Sequence, residues 1–549
     1  MRRYLLIGLL AGTGITAPAA GATETLFVGR FVTLDPKQPH AEAIAVRDGV
    51  ITAVGTRAAL EKGAARSVPR IRLPGVSLPG LADAHTHPLE TGDLLEGLDG
   101  FGLSKEDIVQ EVAKRAAAIP SGEWITGDRW DQSTWTNSDL PSARDLDAAS
   151  GDHPVFLLRV DGHGAWVNQR ALNIAGITRD TKDPPDGKIN RDAAGIPTGI
   201  LSDGAKDFVT KHIPARSPAV IERRLQAAFR EFVKWGLTSV HDAGEDGPVL
   251  DVYRDMAKRG ALPLRVYLMA NNTEPTLTET LARGPEIGLG SGMLTIRSFK
   301  VVMDGSLGSH SAELSAPYAD DHSTTGTVVT TDAVINDVIA RAVKKGFQVN
   351  SHAIGDLANH RLLDAYERAG PQASALRFRI EHASMLNDAD LARMAKLGVI
   401  ASIQPNFVGE HARWGRDRVG SDRLPWLLRF RDMIKSGARI ATGTDYPDDA
   451  GDPVTTLYCM VTERGAYGRP GAVFRPDQRV DVDTALRAAT EGAAYAAFQE
   501  DQLGSLTVGR LADFTTLSGD PYTTVADDLR SLRVLRTVVA GKVRYQTEK

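Results

Sequence analysis

The chain has 549 residues, 42% hydrophobic and 24% charged, with a formal charge of −5. That balance excludes collagen, coiled-coil rods and wholesale disorder, and it offers no basic field for counterion-driven binding to nucleic acid. Cys459 is the single cysteine beside thirteen histidines, which excludes an internal disulfide, a zinc finger and an iron–sulfur framework, so a metal site has to be built from His and carboxylates.

Arg2 and Arg3 precede the apolar run YLLIGLLAGTGITAPAA, which ends on small residues at Ala20 and Ala22. A basic start, a short apolar core and an A-x-A-like end describe a signal peptide over 1–22. The run is broken by Gly and Thr and is short for a membrane span. The expectation is an exported, periplasmic or secreted protein with no stable membrane insertion once the leader is removed.

Residues 23–75 read as short strands and turns, with Asp48-Gly49 supplying the positive φ of a tight hairpin. The same style returns over 495–549, so both ends are expected to build one small β-sandwich domain. Between them, over 76–494, strand-like runs alternate with helical periods, the pattern of parallel βαβ units. Candidate strands fall at 76–87, 236–243, 263–270, 295–305, 347–356, 377–385, 398–406 and 438–447. Eight such strands with intervening helices give an α/β fold, a (β/α)8 TIM barrel. The gap between the first two is too long for one crossover and predicts an inserted subdomain at about 90–230. The segment HARWGRDRVGSDRLPW, between strands seven and eight, predicts a substrate loop.

A parallel strand buried on both faces is expected to be almost wholly apolar, so ionisable groups at its carboxyl end need a reason. His85 and His87 end strand one at i and i+2, where both rings can reach one ion. Lys300 lies on strand four, His352 on five, His382 on six and Asp445 at the end of eight. Taken singly, a strand His is usually a hydrogen-bonded core residue, Lys300 can pair with Asp304, and Asp445 can cap a helix. Six such residues from five strands at one rim outweigh those readings.

The stretches LPGLADAHTHP, SFKVVMDGSLGS, NSHAIGD, RIEHAS, ATGTDYP and VGRLADF resemble the amidohydrolase superfamily, in its YtcJ-like branch (amidohydrolase family 3, which includes N-substituted formamide deformylases). The resemblance spans nearly the whole mature chain. It implies a divalent metal site, usually zinc, of one or two ions, held by His85, His87, Lys300, His352, His382 and Asp445. Imidazole and carboxylate suit Zn²⁺, whereas a Lys ammonium has no lone pair to offer. The expectation, leaning on the resemblance, is that Lys300 carries a CO2-derived carbamate bridging two metals. His85, His87 and Asp445 would then hold one, and His352 and His382 the other.

The implied activity is metal-dependent hydrolysis of an amide-type C–N bond in a small molecule, N-acyl, N-formyl or related. The metal acidifies a water into the nucleophile, and Asp445 serves as general base and then acid. Esters, lactones or phosphotriesters on the same barrel remain the alternative, with a non-catalytic barrel behind them. His163, Asn168, Asp304 and Trp130 are substrate-contact candidates. His163 is as readily a partner of Asp161, and Trp130 as readily core. A second copy of the chain is the macromolecular partner considered.

Overall fold

The computed structural model describes residues 24–132, 135–137, 139–159, 164–184, 187–465 and 473–547; the expected leader over 1–22 lies outside them. Among the described residues, no helix is long and apolar enough to cross a membrane.

The eight expected strands form the barrel. In order they are Leu81–Thr86, Leu237–Glu245, Arg265–Asn271, Leu294–Val302, Gln348–Ala353, Arg379–His382, Ile400–Ile403 and Ile440–Thr442, each parallel to the next. They are buried almost throughout, as strands walled by helices outside and packed side chains inside must be. Several helices between them stop where the sequence says, on glycines in the left-handed region: Gly260 (φ 68°), Gly346 (φ 77°) and Gly398 (φ 67°).

Strand one meets the end of strand eight through backbone bonds just beyond the strand. Thr444 N and Asp445 N donate to His85 O at 3.2 and 2.7 Å, and His87 N donates to Tyr446 O at 3.0 Å. Asp83 stitches the same seam from inside. Its Oδ1 accepts from His85 N and Thr444 N, each at 3.0 Å, and its Oδ2 accepts the Thr444 hydroxyl at 2.6 Å.

Both ends of the chain contribute to a seven-stranded sheet. Its order is Lys542–Gln546, Val534–Val539, Phe514–Leu517, Arg70–Pro79, Glu24–Val32, His40–Arg47, Val50–Gly55. Hydrogen bonding runs through all seven, so the sandwich expected from sequence is built as one continuous sheet. Asp48 (φ 53°) and Gly49 (φ 82°) make the expected hairpin turn. Phe27, Phe31, Ile44, Phe514 and Val538 form the sheet's own core.

This sheet docks on the amino-terminal side of the barrel. Thr515 and Thr537 donate their hydroxyls to Gly236 O and Val233 O, both at 2.6 Å, just ahead of strand two. Arg265, the first residue of strand three, pairs with Asp513 in two bonds of 2.6 and 3.1 Å, with both side chains almost fully buried. The opposite face, at the strands' carboxyl ends, is left to the loops.

The insertion is built around a six-stranded sheet, ordered Leu98–Asp99, Ile125–Trp130, Val155–Arg159, Gly164–Val167, Pro197–Asp203, Gly187–Arg191. It springs from between helices Pro88–Glu96 and Pro218–Lys234. These approach so closely at Gly92 that a Cβ there would lie 2.2 Å from Arg224 O.

Asp513→Ala strands the Arg265 guanidinium without its counter-charge and also removes the acceptor for Ala540 N. The expected cost is about 3–5 kcal/mol, read as a lower denaturant midpoint in equilibrium unfolding.

Candidate metal centre at the barrel rim

His85, His382 and Asp445 are brought together most tightly: one donor atom from each lies within 4.8 Å of the others, and all three side chains are buried. Each owes its position to a strand end. His85 is the penultimate residue of strand one, His382 the last of strand six, and Asp445 lies three residues past strand eight. His382 (φ 74°) and Asp445 (φ 60°) both sit in the left-handed region, which non-glycine residues avoid. The chain turns sharply at both points, and sites of this kind concentrate such conformations.

Asp445 is the hub. Its Oδ1 lies 3.3 Å from His85 Nε2 and 3.1 Å from His87 Nε2, and its Oδ2 lies 3.8 Å from His382 Nδ1. Burial alone would raise its pKa, but His85, His87 and His382 hold it well below the usual carboxylate range. Burial also pushes His382 well below an ordinary imidazole and His352 down to about 4, leaving both neutral with lone pairs to offer.

Lys300 joins from strand four, its Nζ 3.1 Å from His85 Nε2. Burial is the largest influence on its amine and lowers its pKa, aided by Arg379 and opposed by Glu381 and Asp445. His352 stands slightly apart. Its ring centroid is 4.5 Å from that of His382, but its Nε2 faces Gly305 O at 3.2 Å. The two groupings expected from sequence thus share His382, which belongs with His85 and Asp445 as much as with His352.

These residues suit a divalent cation. His382 Nδ1 is buried with no hydrogen-bond partner, a costly condition that a ligand at that nitrogen would relieve. His85 donates Nδ1–H to Glu381 Oε2 at 2.5 Å, which fixes the tautomer leaving its Nε2 lone pair directed at the cluster.

Glu381 is a functional residue that sequence reasoning missed. Burial raises its carboxyl, but Arg379 and His85 outweigh that and keep it ionised. Arg379, equally buried, donates to His241 Nδ1 at 3.0 Å, Ala84 O at 2.6 Å and Ser402 Oγ at 3.0 Å. The signal was present in R-I-E-H, where two charges occupy a strand expected to be apolar.

The substrate-contact candidates fare differently. Asp304 is fully buried and accepts N–H bonds from Glu313 (2.9 Å), Ile354 (3.0 Å) and Gly355 (2.8 Å), so it organises the loops after strands four and five rather than facing substrate. Asn168 caps a helix of the insertion, with all its polar capacity used on Val155 N, Ala171 N, Ser150 Oγ and His153 O. Trp130 is fully buried in the insertion core and donates to Leu157 O at 2.9 Å. Asn168 thus serves the insertion as a cap and Trp130 as core, and neither is left to meet substrate. His163 lies outside the described residues. The expected loop between strands seven and eight is largely a helix, Val408–Arg423.

The amidohydrolase family description matches residues 75–545. YtcJ of Bacillus subtilis is 32% identical over 534 residues, covering 95% of this chain and 99% of that protein. The N-substituted formamide deformylase of Arthrobacter pascens is 26% identical over 530 residues, covering 94% of this chain and 96% of that one. The crystal structure of a metal-dependent hydrolase from Pyrococcus horikoshii superposes with a TM-score of 0.79 at 27% identity, covering 92% of this chain and 99% of that chain.

Glu381→Gln replaces the anion that orients His85 with a neutral amide of the same shape. Divalent-cation affinity is expected to fall about 10- to 100-fold, measured by competition against a chromophoric chelator, with far-UV circular dichroism confirming a retained fold.

Proposed function

This chain belongs to the amidohydrolase family, and from that premise we propose that it cleaves an amide-type C–N bond of a small molecule, N-acyl, N-formyl or related. The observation that carries the reading is the convergence of His85, His382 and Asp445 donor atoms at the loop-bearing end of the barrel. The amide chemistry is supported by the relative from Arthrobacter pascens, whose name is that of a formamide deformylase.

His85, His87, His352, His382 and Asp445 would hold the cation, which we take to be zinc, and Lys300 would complete the set as a carbamate. A bound divalent cation supplies Lewis acidity to the substrate carbonyl and to an attacking water. The protein's own work is the handling of protons and shape. Asp445 stands within reach of three imidazoles and is held ionised, so it can accept the proton of the attacking water. The same carboxyl then returns that proton to the departing nitrogen, which leaves as an amine. Arg379 and Glu381 keep His85 fixed throughout, so little reorganisation accompanies the charge movement.

For Lys300, the support is chemical. An ammonium 3.1 Å from His85 Nε2 is a poor neighbour for a cation, whereas its carbamate is an anionic oxygen ligand. Intact-mass analysis under bicarbonate, compared with Lys300→Ala, reads the added carboxyl group directly. The basic, apolar and small-residue order of residues 1–22 supports export to the periplasm or beyond.

The reading is tested by metal analysis of the purified protein coupled to a panel of N-formyl, N-acyl and dipeptide-like amides, with matched esters alongside. Amide turnover that tracks divalent-metal content is expected; fast ester cleavage with no amide hydrolysed would reassign the bond. Asp445→Asn is expected to fold normally and lose about 10²- to 10⁴-fold in kcat, measured at saturating substrate.

A further inference from the structure

The buried charges beneath the donors continue across the barrel in an unbroken line of hydrogen bonds. His85 Nδ1 meets Glu381 Oε2 at 2.5 Å, Arg379 Nη2 donates to that same oxygen at 3.1 Å, and Arg379 Nη1 donates to His241 Nδ1 at 3.0 Å. All four side chains are buried. His241 owes its place in the line to the alternation of strand two, Leu237–Glu245. Its neighbour Asp242 accepts the Tyr253 hydroxyl at 2.7 Å from the following helix, Gly247–Arg259, outside the barrel, which turns His241 to the inside.

The ring is well prepared to accept from Arg379. Burial, aided by the Arg379 charge, holds its pKa well below an ordinary imidazole, so it is neutral, with Nδ1 as acceptor and the proton on Nε2. Tyr267, its register partner on strand three, packs against it at 5.2 Å between ring centroids and is itself tied to Gln348 Oε1 at 2.7 Å. The ring also borders a small polar cavity at the barrel floor, shared with Thr238, Ser239, Gln499, Ser505 and Asp513, so its Nε2 donor is not stranded among hydrocarbon. Arg379 depends on this partner more than on any other. Its Nη2 is shared among Ala84 O, Ser402 Oγ and Glu381, whereas among the described residues Nη1 bonds His241 alone. A guanidinium presents its N–H groups in one rigid fork, so the acceptor at one nitrogen sets the direction of the others.

We propose that His241 is a positioning residue for the candidate metal centre: by accepting from Arg379 Nη1 it fixes the guanidinium that holds Glu381, and through Glu381 it keeps the His85 Nε2 lone pair directed at the cluster. This rests on the metal-centre part of the reading above and not on which bond is cleaved. A buried N–H without its acceptor carries the full desolvation penalty. Arg379 deprived of His241 therefore turns toward its remaining partners and draws Glu381 off the line to His85. The histidine acts at two removes from the cation and touches neither it nor substrate.

The test compares His241→Asn with His241→Leu, two side chains of nearly one size of which only asparagine places an oxygen where Nδ1 stands. Zinc affinity of the purified protein is read by competition against a chromophoric chelator, with far-UV circular dichroism confirming the fold. Leu is expected to weaken zinc binding about tenfold, the lower end of what loss of an outer hydrogen-bond partner costs a metal site, and Asn to stay close to the wild type. Equal losses in the two variants mean that the ring serves packing alone and overturn the proposal, as does wild-type affinity in Leu. If Leu does not fold, His241→Met takes its place, since it too lacks the acceptor and its stem adapts to irregular cores. A wild type that binds no zinc overturns the proposal together with the metal centre. Zinc bound with no amide turned over sinks only the amide reading, and the Asn and Leu affinities then decide the role of His241 as before.

Discussion

The seam between strands one and eight is the constraint on which the molecule turns. Asp83 binds His85 N and both polar groups of Thr444, while Asp445 N reaches across to His85 O. A (β/α)8 barrel closes only if its last strand finds its first, and here the residues that accomplish this are immediate neighbours of the two central donors, His85 and Asp445. Closure of the barrel and the meeting of His85 with Asp445 are therefore one event. A barrel that slipped by one residue at this seam would turn His85 out of the interior, because side chains alternate along a strand.

Below the seam lies a set of charges that no solvent reaches. Arg379 and Glu381 are both fully buried, and each stranded charge would cost several kcal/mol. They are kept because each compensates the other while serving different masters: the guanidinium ties Ala84, Ser402 and His241, and the carboxylate holds His85. The result is a stiff floor beneath the donors. Above them the chain is built differently, with a helix and a loop fastened to each other at their outer edges by Arg418 and Asp320. The candidate donors are held by the strands, and the surface around them is built by the connections.

Much of this was legible in the chain itself. The eight strands, the long insertion and the composite terminal sheet follow from apolar runs, Gly-terminated helical periods and turn dipeptides, all of which are local signals. The rim residues could be found because charge in a buried strand is conspicuous, and the family resemblance gave them an order. What escaped depends on three-dimensional placement. Glu381 sits beside His382, an expected ligand, and only the fold shows that it bonds His85 on a strand 296 positions earlier. Asp304, Asn168 and Trp130 are polar or aromatic residues in suggestive positions, yet backbone N–H groups, a helix start and a core claim them. The helix Val408–Arg423 is rich in Arg and Gly and contains a break at Gly420, so its periodicity is weak and it reads as loop.

The composite sheet has a consequence for how the polypeptide comes off the ribosome. Strand Arg70–Pro79 emerges early, yet its neighbour Phe514–Leu517 is made more than four hundred residues later. Throughout that interval one edge of the early strand is unpaired, and Arg265 waits with its charge uncompensated at the barrel floor. The barrel's own last strand, Ile440–Thr442, is also made late, so closing the cylinder and completing the sheet that braces it both fall to the final stretch of the nascent chain.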